Sequence, residues 1–183
     1  LIIAILVKLS DFRGPVFFKH ERVTRFGKPF YVFKFRSMYW RYCSGKKNEV
    51  QIFKGMGRED LIKEWASNQK IKKDPRVTPI GRFLRKTSLD ELAQLINVLQ
   101  GKLSLIGPRA ITKDELSKYK ASRYKFLSVK PGITGLWQVS GRNNISYEDR
   151  VKLDVYNVQN WSLWLDIKIF FKTIGVVLKG TGE

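Results

Sequence analysis

The chain has 183 residues, with 35 Lys and Arg against 16 Asp and Glu, a formal net charge of +19. That length fits one domain, and 43% apolar with 13% aromatic residues excludes a disordered polycation. A single cysteine, Cys43, and a single histidine, His20, exclude an internal disulfide framework, a cysteine-based zinc site and any mechanism needing two histidines.

Taken in chain order, Leu1 to Leu9 is an apolar helix end or strand, broken by Gly14-Pro15. No run reaches the ~20 apolar residues of a spanning helix. Val16-Phe17-Phe18 and Phe30 to Phe35 predict two short strands around the turn Phe26-Gly27-Lys28-Pro29, a hairpin. Cys43 to Lys73 is polar and charged, a loop with one helix near Asp60 to Asn68. Ile80, Phe83, Leu84, Leu92, Leu95, Ile96 and Leu99 recur at helical spacing. Ser88-Leu89-Asp90-Glu91 has the form of a capping box, which starts a new helix at Ser88 and ends it at Gly101. Lys113 to Phe126 predicts a helix closed by Lys130-Pro131-Gly132, and the stretch through Gly135 and Gly141 predicts a loop. Tyr147 to Asn157 and Ser162 to Leu178 predict two further helices, the last with an apolar stripe. The fold class is α+β, mainly helical with a small β-hairpin.

The charge is uneven. Lys19 to Lys86 holds 19 basic and 6 acidic residues, a net of +13, and the other 115 residues carry +6. Such a field attracts nucleic acid, acidic lipid headgroups or phosphorylated small molecules. The interleaved aromatics Tyr31, Phe33, Phe35, Tyr39 and Trp40 suit a membrane interface, and equally stacking on single-stranded nucleic acid. Composition does not choose between them.

Asp90-Glu91 stands out because acids are scarce before it. One reading is structural: Glu91 completes a capping box and Asp90 favours the positive helix end. The other is chemical. A carboxylate at a helix N-terminus stays ionised and can attack phosphorus, with Glu91 holding Mg²⁺. Arg85 and Lys86 precede the pair, and Arg109 and Arg142 each follow a glycine-containing loop. All are candidate phosphate clamps.

Longer motifs carry a resemblance. Lys34-Phe35-Arg36-Ser37-Met38, the run from Asp74-Pro75-Arg76 to Leu89-Asp90-Glu91-Leu92, Gly107-Pro108-Arg109, and Pro131-Gly132-Ile133-Thr134-Gly135 through to Gly141-Arg142 follow in order. Together they resemble the bacterial sugar transferase family, the monotopic polyprenyl-phosphate phosphoglycosyl transferases. The tail Trp161-Ser162-Leu163-Trp164-Leu165-Asp166-Ile167 is most similar to the catalytic domain of the large undecaprenyl-phosphate galactose or glucose phosphotransferases.

The resemblance implies a membrane-surface catalytic domain over 14–183, with 1–13 a remnant of a truncated N-terminal re-entrant membrane helix. It implies that Asp90 attacks the sugar-bearing phosphate of a UDP-sugar and expels UMP, and that undecaprenyl phosphate then takes the sugar phosphate. Glu91 is the other half of the implied dyad beside a required Mg²⁺, so both acids are expected near the metal. Lys34, Arg85, Arg109 and Arg142 are expected around the phosphates, with Pro108 shaping the Arg109 loop. Two residues depart from the pattern: Ala93 and Ala110 stand where the family usually has proline.

A polyprenyl tail is costly to extract from a bilayer, at ~0.8 kcal/mol per methylene, so the enzyme is expected at an anionic lipid surface. Nucleotide sugars and a reduced Cys43 put it on the cytoplasmic face of the bacterial inner membrane. A basic nucleic-acid-binding module is the alternative, but no RNP, zinc or helix-turn-helix pattern is present, so no nucleic acid is expected. A silent assembly domain of the same fold requires an irrelevant dyad, and both acids are intact. The choice of sugar and any homo-oligomer are left open.

Overall fold

A computed structural model describes residues 1–43, 48–68, 71–141 and 145–180. The chain opens with α1, Ile2–Ser10, which buries Val7 and leaves Ile2, Ile5 and Leu9 exposed. The backbone turns to extended conformation at Asp11. The expected hairpin forms: β1, Phe17–Val23, pairs antiparallel with β2, Pro29–Phe35, with Phe17 opposite Phe35 and Val23 opposite Pro29. Phe26 takes a left-handed conformation at φ 62° in the turn, and β1 runs five residues past its expected end at Phe18.

A buried arginine fastens α1 to the hairpin. Arg36, 2% exposed, donates from Nη1 to Asp11 Oδ2 at 2.8 Å and from Nε to the Pro15 carbonyl at 2.7 Å. The Trp40 amide donates to the same Asp11 oxygen at 2.6 Å. Each polar atom so engaged avoids the cost of an unpaired buried charge.

After β2 come α2, Trp40–Cys43, α3, Glu49–Gly55, and α4, Glu59–Asn68. The expected helix is α4; α3 corrects the expectation of a loop before it. It begins at a reciprocal cap in which Gln51 N donates to Asn48 Oδ1 at 2.9 Å and Asn48 N to Gln51 Oε1 at 3.2 Å. Burial of Ile52 and Phe53 anchors an otherwise polar segment.

The next helix, α5, Pro79–Thr87, has Thr78 as its cap and proline in its first turn. Gly81 lets it touch the hairpin's exit, for a Cβ there would lie 1.9 Å from the Ser37 carbonyl oxygen. The capping box expected at Ser88 does not form. Ser88 is left-handed at φ 57° and its hydroxyl makes no cap bond, since an N-cap needs extended backbone. A 3-10 segment, Leu89–Gln94, follows instead and leads into α6, Leu95–Leu99. Asn97 ties α6 to β2: its Oδ1 accepts from Phe33 N at 2.9 Å and its Nδ2 donates to the Tyr31 carbonyl at 2.8 Å.

A second sheet was not expected. Strand β3, Ser104–Ile106, pairs parallel with β4, Gly132–Thr134. Both strands are three residues long, too short for alternation to be legible. The helix expected over 113–126 is broken into a 3-10 segment, Glu115–Ser122, and α7, Arg123–Leu127, because Lys120 leaves helical geometry at φ 46°, ψ −130°. Part of the expected loop after Gly135 is α8, Leu136–Val139. The two final helices are α9, Tyr147–Gln159, and α10, Leu163–Leu178, capped by Ser146 and Ser162.

One apolar cluster joins Phe30, Val32, Leu103 and Ala110 beneath the hairpin. Another joins Val23, Ile111, Tyr119 and Phe126, with Tyr147 and Val151 against it. The architecture is α+β and mainly helical. No helix among the described residues is long and apolar enough to cross a membrane.

Candidate active site

The site lies where β2, the 3-10 segment Leu89–Gln94 and the loop after β3 meet. Lys34, opposite Phe18 in the hairpin register, extends toward the acid pair. Its Nζ lies 2.8 Å from Glu91 Oε1 and 3.7 Å from Asp90 Oδ2. Arg109 Nη2 reaches the same Glu91 oxygen at 3.1 Å. Glu91 is therefore held by two cations and caps no helix. Asp90, 8% exposed, makes one ion pair and no hydrogen bond from its carboxylate among the described residues.

The acids sit in different electrostatic states. Burial pushes the Asp90 carboxyl up from its ordinary value; the Lys34 charge pulls it back and the Glu91 charge adds to the rise. For Glu91, burial is overcome by the Arg109 and Lys34 charges and their hydrogen bonds, which hold it down to about 2. Asp90 does not sit at the start of an α-helix as expected, because a six-residue 3-10 segment takes its place. The positive field on Asp90 comes from side chains instead, led by Lys34.

Arg85 lines the same cavity, its Nε donating to Ser37 Oγ at 2.9 Å. Lys86 is exposed and does not line it. Pro108 is fully buried, and its carbonyl accepts from Gly132 N at 2.8 Å, so the parallel pair β3–β4 carries the Arg109 loop. Ala110, next in that loop, packs against Phe30 and Val32. The structure thus brings Lys34, Arg85, Asp90, Glu91 and Arg109 to one cavity of about 470 Å³. Arg142 lies outside the described residues.

Sequence reading missed the far wall. His20, Arg22, Glu115, Trp137 and Arg150 also line the cavity. Arg22 Nη1 lies 2.9 Å from Glu115 Oε2, and Arg150 Nη2 lies 3.8 Å from Glu115 Oε1. The Arg150 guanidinium lies 4.3 Å from the Trp137 ring centroid. Burial, with the charges of Arg22 and Lys34, pushes the His20 imidazole down to about 4, so it is neutral at pH 7. The available signal was strand period: Phe18, His20 and Arg22 share the face of Lys34. Nothing in the spacing pointed to Glu115, Trp137 or Arg150.

A buried acid pair met by two cations, with a third lining the same cavity of about 470 Å³, has the charge layout that suits a phosphorylated ligand. The chain belongs to the bacterial sugar transferase family, whose model matches residues 1–180. It is 48% identical over 184 residues to the undecaprenyl-phosphate galactose phosphotransferase of Salmonella typhimurium, covering 100% of this chain and 37% of that protein. It is 45% identical over 183 residues to the exopolysaccharide production protein ExoY of Rhizobium meliloti, covering 100% of this chain and 78% of that protein. It is 41% identical over 180 residues to the UDP-glucose:undecaprenyl-phosphate glucose-1-phosphate transferase of Escherichia coli, covering 94% of this chain and 34% of that protein. The chain thus spans little more than a third of the length of the large relatives it matches.

Proposed function

We propose that this chain transfers a sugar-1-phosphate from a UDP-sugar to undecaprenyl phosphate, in two displacements at one phosphorus. In the first, an Asp90 oxygen bonds to the sugar-bearing phosphorus and the bond to the bridging oxygen breaks. Its electron pair leaves with UMP, and Asp90 carries the phosphosugar. In the second, a phosphate oxygen of undecaprenyl phosphate attacks that phosphorus and the Asp90–phosphorus bond breaks. The carboxylate is restored, and the product is an undecaprenyl-diphospho-sugar. The observation that carries the reading is the division between the acids: Glu91 is locked by Lys34 and Arg109, whereas Asp90 faces the cavity with one ion pair. Lys34, Arg85 and Arg109 lie where they can take up the charge of the diphosphate. Pro108 shapes the Arg109 loop, and Arg142 joins the clamps on motif grounds alone.

The donor set fits Mg²⁺. Among the described residues no group of three His, Cys, Asp or Glu could hold a metal unaided. Two neighbouring carboxylates suit an ion that completes its shell with substrate phosphate oxygens and water. Asp90 and Glu91 would hold it, and a bound Mg²⁺ would neutralise charge on the diphosphate.

We place the reaction at the cytoplasmic face of the bacterial inner membrane, with residues 1–13 as part of a re-entrant anchor and 14–183 as the catalytic domain. Exposed Ile2 and Leu9 on α1, and Trp164, Phe171 and Leu178 on α10, support a lipid-facing surface. Asp90→Asn should lower UMP release by more than about a thousandfold and abolish covalent labelling from a UDP-sugar. Mass spectrometry of quenched enzyme checks the adduct, and wild-type turnover by the variant would remove Asp90 as nucleophile. Chelation with EDTA should stop UMP release and added Mg²⁺ restore it; turnover that persists in chelator removes the metal.

A further inference from the structure

We propose that Arg22 and Arg150, tied together by Glu115, form a subsite for a phosphate monoester: the phosphate that leaves with UMP in the first displacement, and that of undecaprenyl phosphate entering in the second. The assignment to those displacements rests on the function proposed above; the capacity to bind a phosphate monoester does not.

Arg22 comes from β1 and Arg150 from α9, and both line the cavity that holds Asp90. Arg22 Nη1 donates to Glu115 Oε2 at 2.9 Å, and its Nη2 lies 3.3 Å from His20 Nδ1. The Thr112 amide donates to the same Glu115 oxygen at 2.9 Å, which fixes the carboxylate from its own segment. Arg150 is tied more loosely. Its Nη2 lies 3.8 Å from Glu115 Oε1, an ion pair without a hydrogen bond, and its guanidinium lies over the Trp137 ring at 4.3 Å from the centroid.

One carboxylate therefore serves two guanidiniums, and among the described residues no second carboxylate lies within ion-pair distance of either. Each guanidinium has a fork of five N–H donors, most of them uncommitted here. The two side chains are 19% and 16% exposed, so a ligand can reach them while little water screens them. Phosphate oxygens match such a fork in charge and shape.

The subsite adjoins the acid pair. The Trp137 centroid lies 4.3 Å from the Arg150 guanidinium carbon and 6.0 Å from that of Arg109, so the two carbons are at most about 10 Å apart. Arg109 in turn meets Glu91 at 3.1 Å. On β1, Phe18 pairs with Lys34, and His20 and Arg22 follow it on the same face. One face of the hairpin thus runs from Lys34 at the acids to Arg22 at Glu115. A diphosphate with one phosphorus at Asp90 can set the other on Arg22 and Arg150.

Both displacements make the same demand on this place. At phosphorus the attacking and leaving oxygens stand roughly in line. Asp90 attacks in the first displacement and leaves in the second. The departing UMP phosphate and the incoming undecaprenyl phosphate therefore take the same side of the reacting phosphorus, away from Asp90. The first carries off the electron pair of the bridging oxygen, and the second supplies a pair from its own oxygen. Neither step takes a proton from the subsite, which suits arginine, a group that stays charged throughout.

The test is calorimetric titration with UMP, and with uridine, which lacks the phosphate. Arg22→Gln and Arg150→Gln should each bind UMP about tenfold or more weakly than wild type, with uridine affinity unchanged. Arg150→Lys keeps the charge but loses the fork, so it should lose UMP affinity by less; it answers the question if Arg150→Gln does not fold. Glu115→Gln keeps a carbonyl for the Thr112 amide and removes the competing charge, so it should bind UMP more tightly, whereas a purely structural tie would bind more weakly. No UMP binding by wild type, affinity unmoved by the arginine variants, a parallel loss of uridine, or a fall in Glu115→Gln overturns the proposal.

A second arm reads turnover, with kcat/KM for the UDP-sugar and for undecaprenyl phosphate reporting the two displacements separately. Counted per chain competent for covalent labelling, Arg150→Gln should lower both by the same factor. A fall confined to the UDP-sugar would overturn the shared subsite. If UMP binds as described but no chain, wild type included, releases UMP from UDP-sugars, the proposed function fails and the phosphate subsite stands.

Discussion

Asp90 and Glu91 are sequence neighbours whose environments pull their acidities apart, and the divergence is measurable as stability. Glu91 is held at about 2, below its ordinary value of 4.5. Its ion pairs therefore stabilise the fold above about pH 4.5, and that contribution disappears as pH falls toward about 2. Denaturant unfolding of Glu91→Gln should show a deficit on the order of 3 kcal/mol at pH 7 that closes over that window. Asp90 has the opposite sign. Its raised pKa means that the folded chain binds a proton more tightly than the unfolded chain, so the ionised form costs stability at neutral pH. Asp90→Asn should raise Tm at pH 7 while abolishing turnover, and the gain should fade as the medium is acidified. A fall in Tm at pH 7 would contradict a carboxyl whose acidity burial has weakened.

The elements show what was legible and what was not. The hairpin, α4, α9 and α10 follow from apolar periodicity and turn residues, which act locally. The capping box at Ser88 was a correct local pattern overruled by tertiary contact: Lys34 and Arg109 draw Glu91 across the cleft, and a left-handed Ser88 turns the chain to meet them. The parallel pair β3–β4 was hidden because its strands are short and separated by 25 residues of chain. The residues that share the candidate cavity were legible where motifs carried them, at Lys34, Arg85, Asp90, Glu91 and Arg109. Glu115, Trp137 and Arg150 reach the cavity only through folding of distant segments. Close approach of elements also has a local signature. Gly81→Ala would push α5 off the Ser37 carbonyl, with an expected cost of about 3 kcal/mol in urea unfolding. Since α5 carries Arg85, UMP release should fall with it; an unchanged midpoint would show that α5 can shift freely.

At the scale of the whole molecule, net charge of +19 and exposed apolar faces on α1 and α10 act together. Sedimentation with phosphatidylglycerol vesicles should show binding that weakens with salt without vanishing, because screening removes only the electrostatic part. Trp164 and Phe171 are 63% and 66% exposed, so replacing both with serine should leave the fold intact. The same change should lower partitioning about tenfold or more. Vesicle binding unchanged by these substitutions would place the lipid surface elsewhere. Finally, Arg36 stands two residues beyond Lys34 and grips Asp11 and Pro15. The end of the N-terminal helix and the segment that carries the lysine meeting both acids are consequently fastened through one buried arginine, so Arg36→Ala should loosen both in hydrogen exchange.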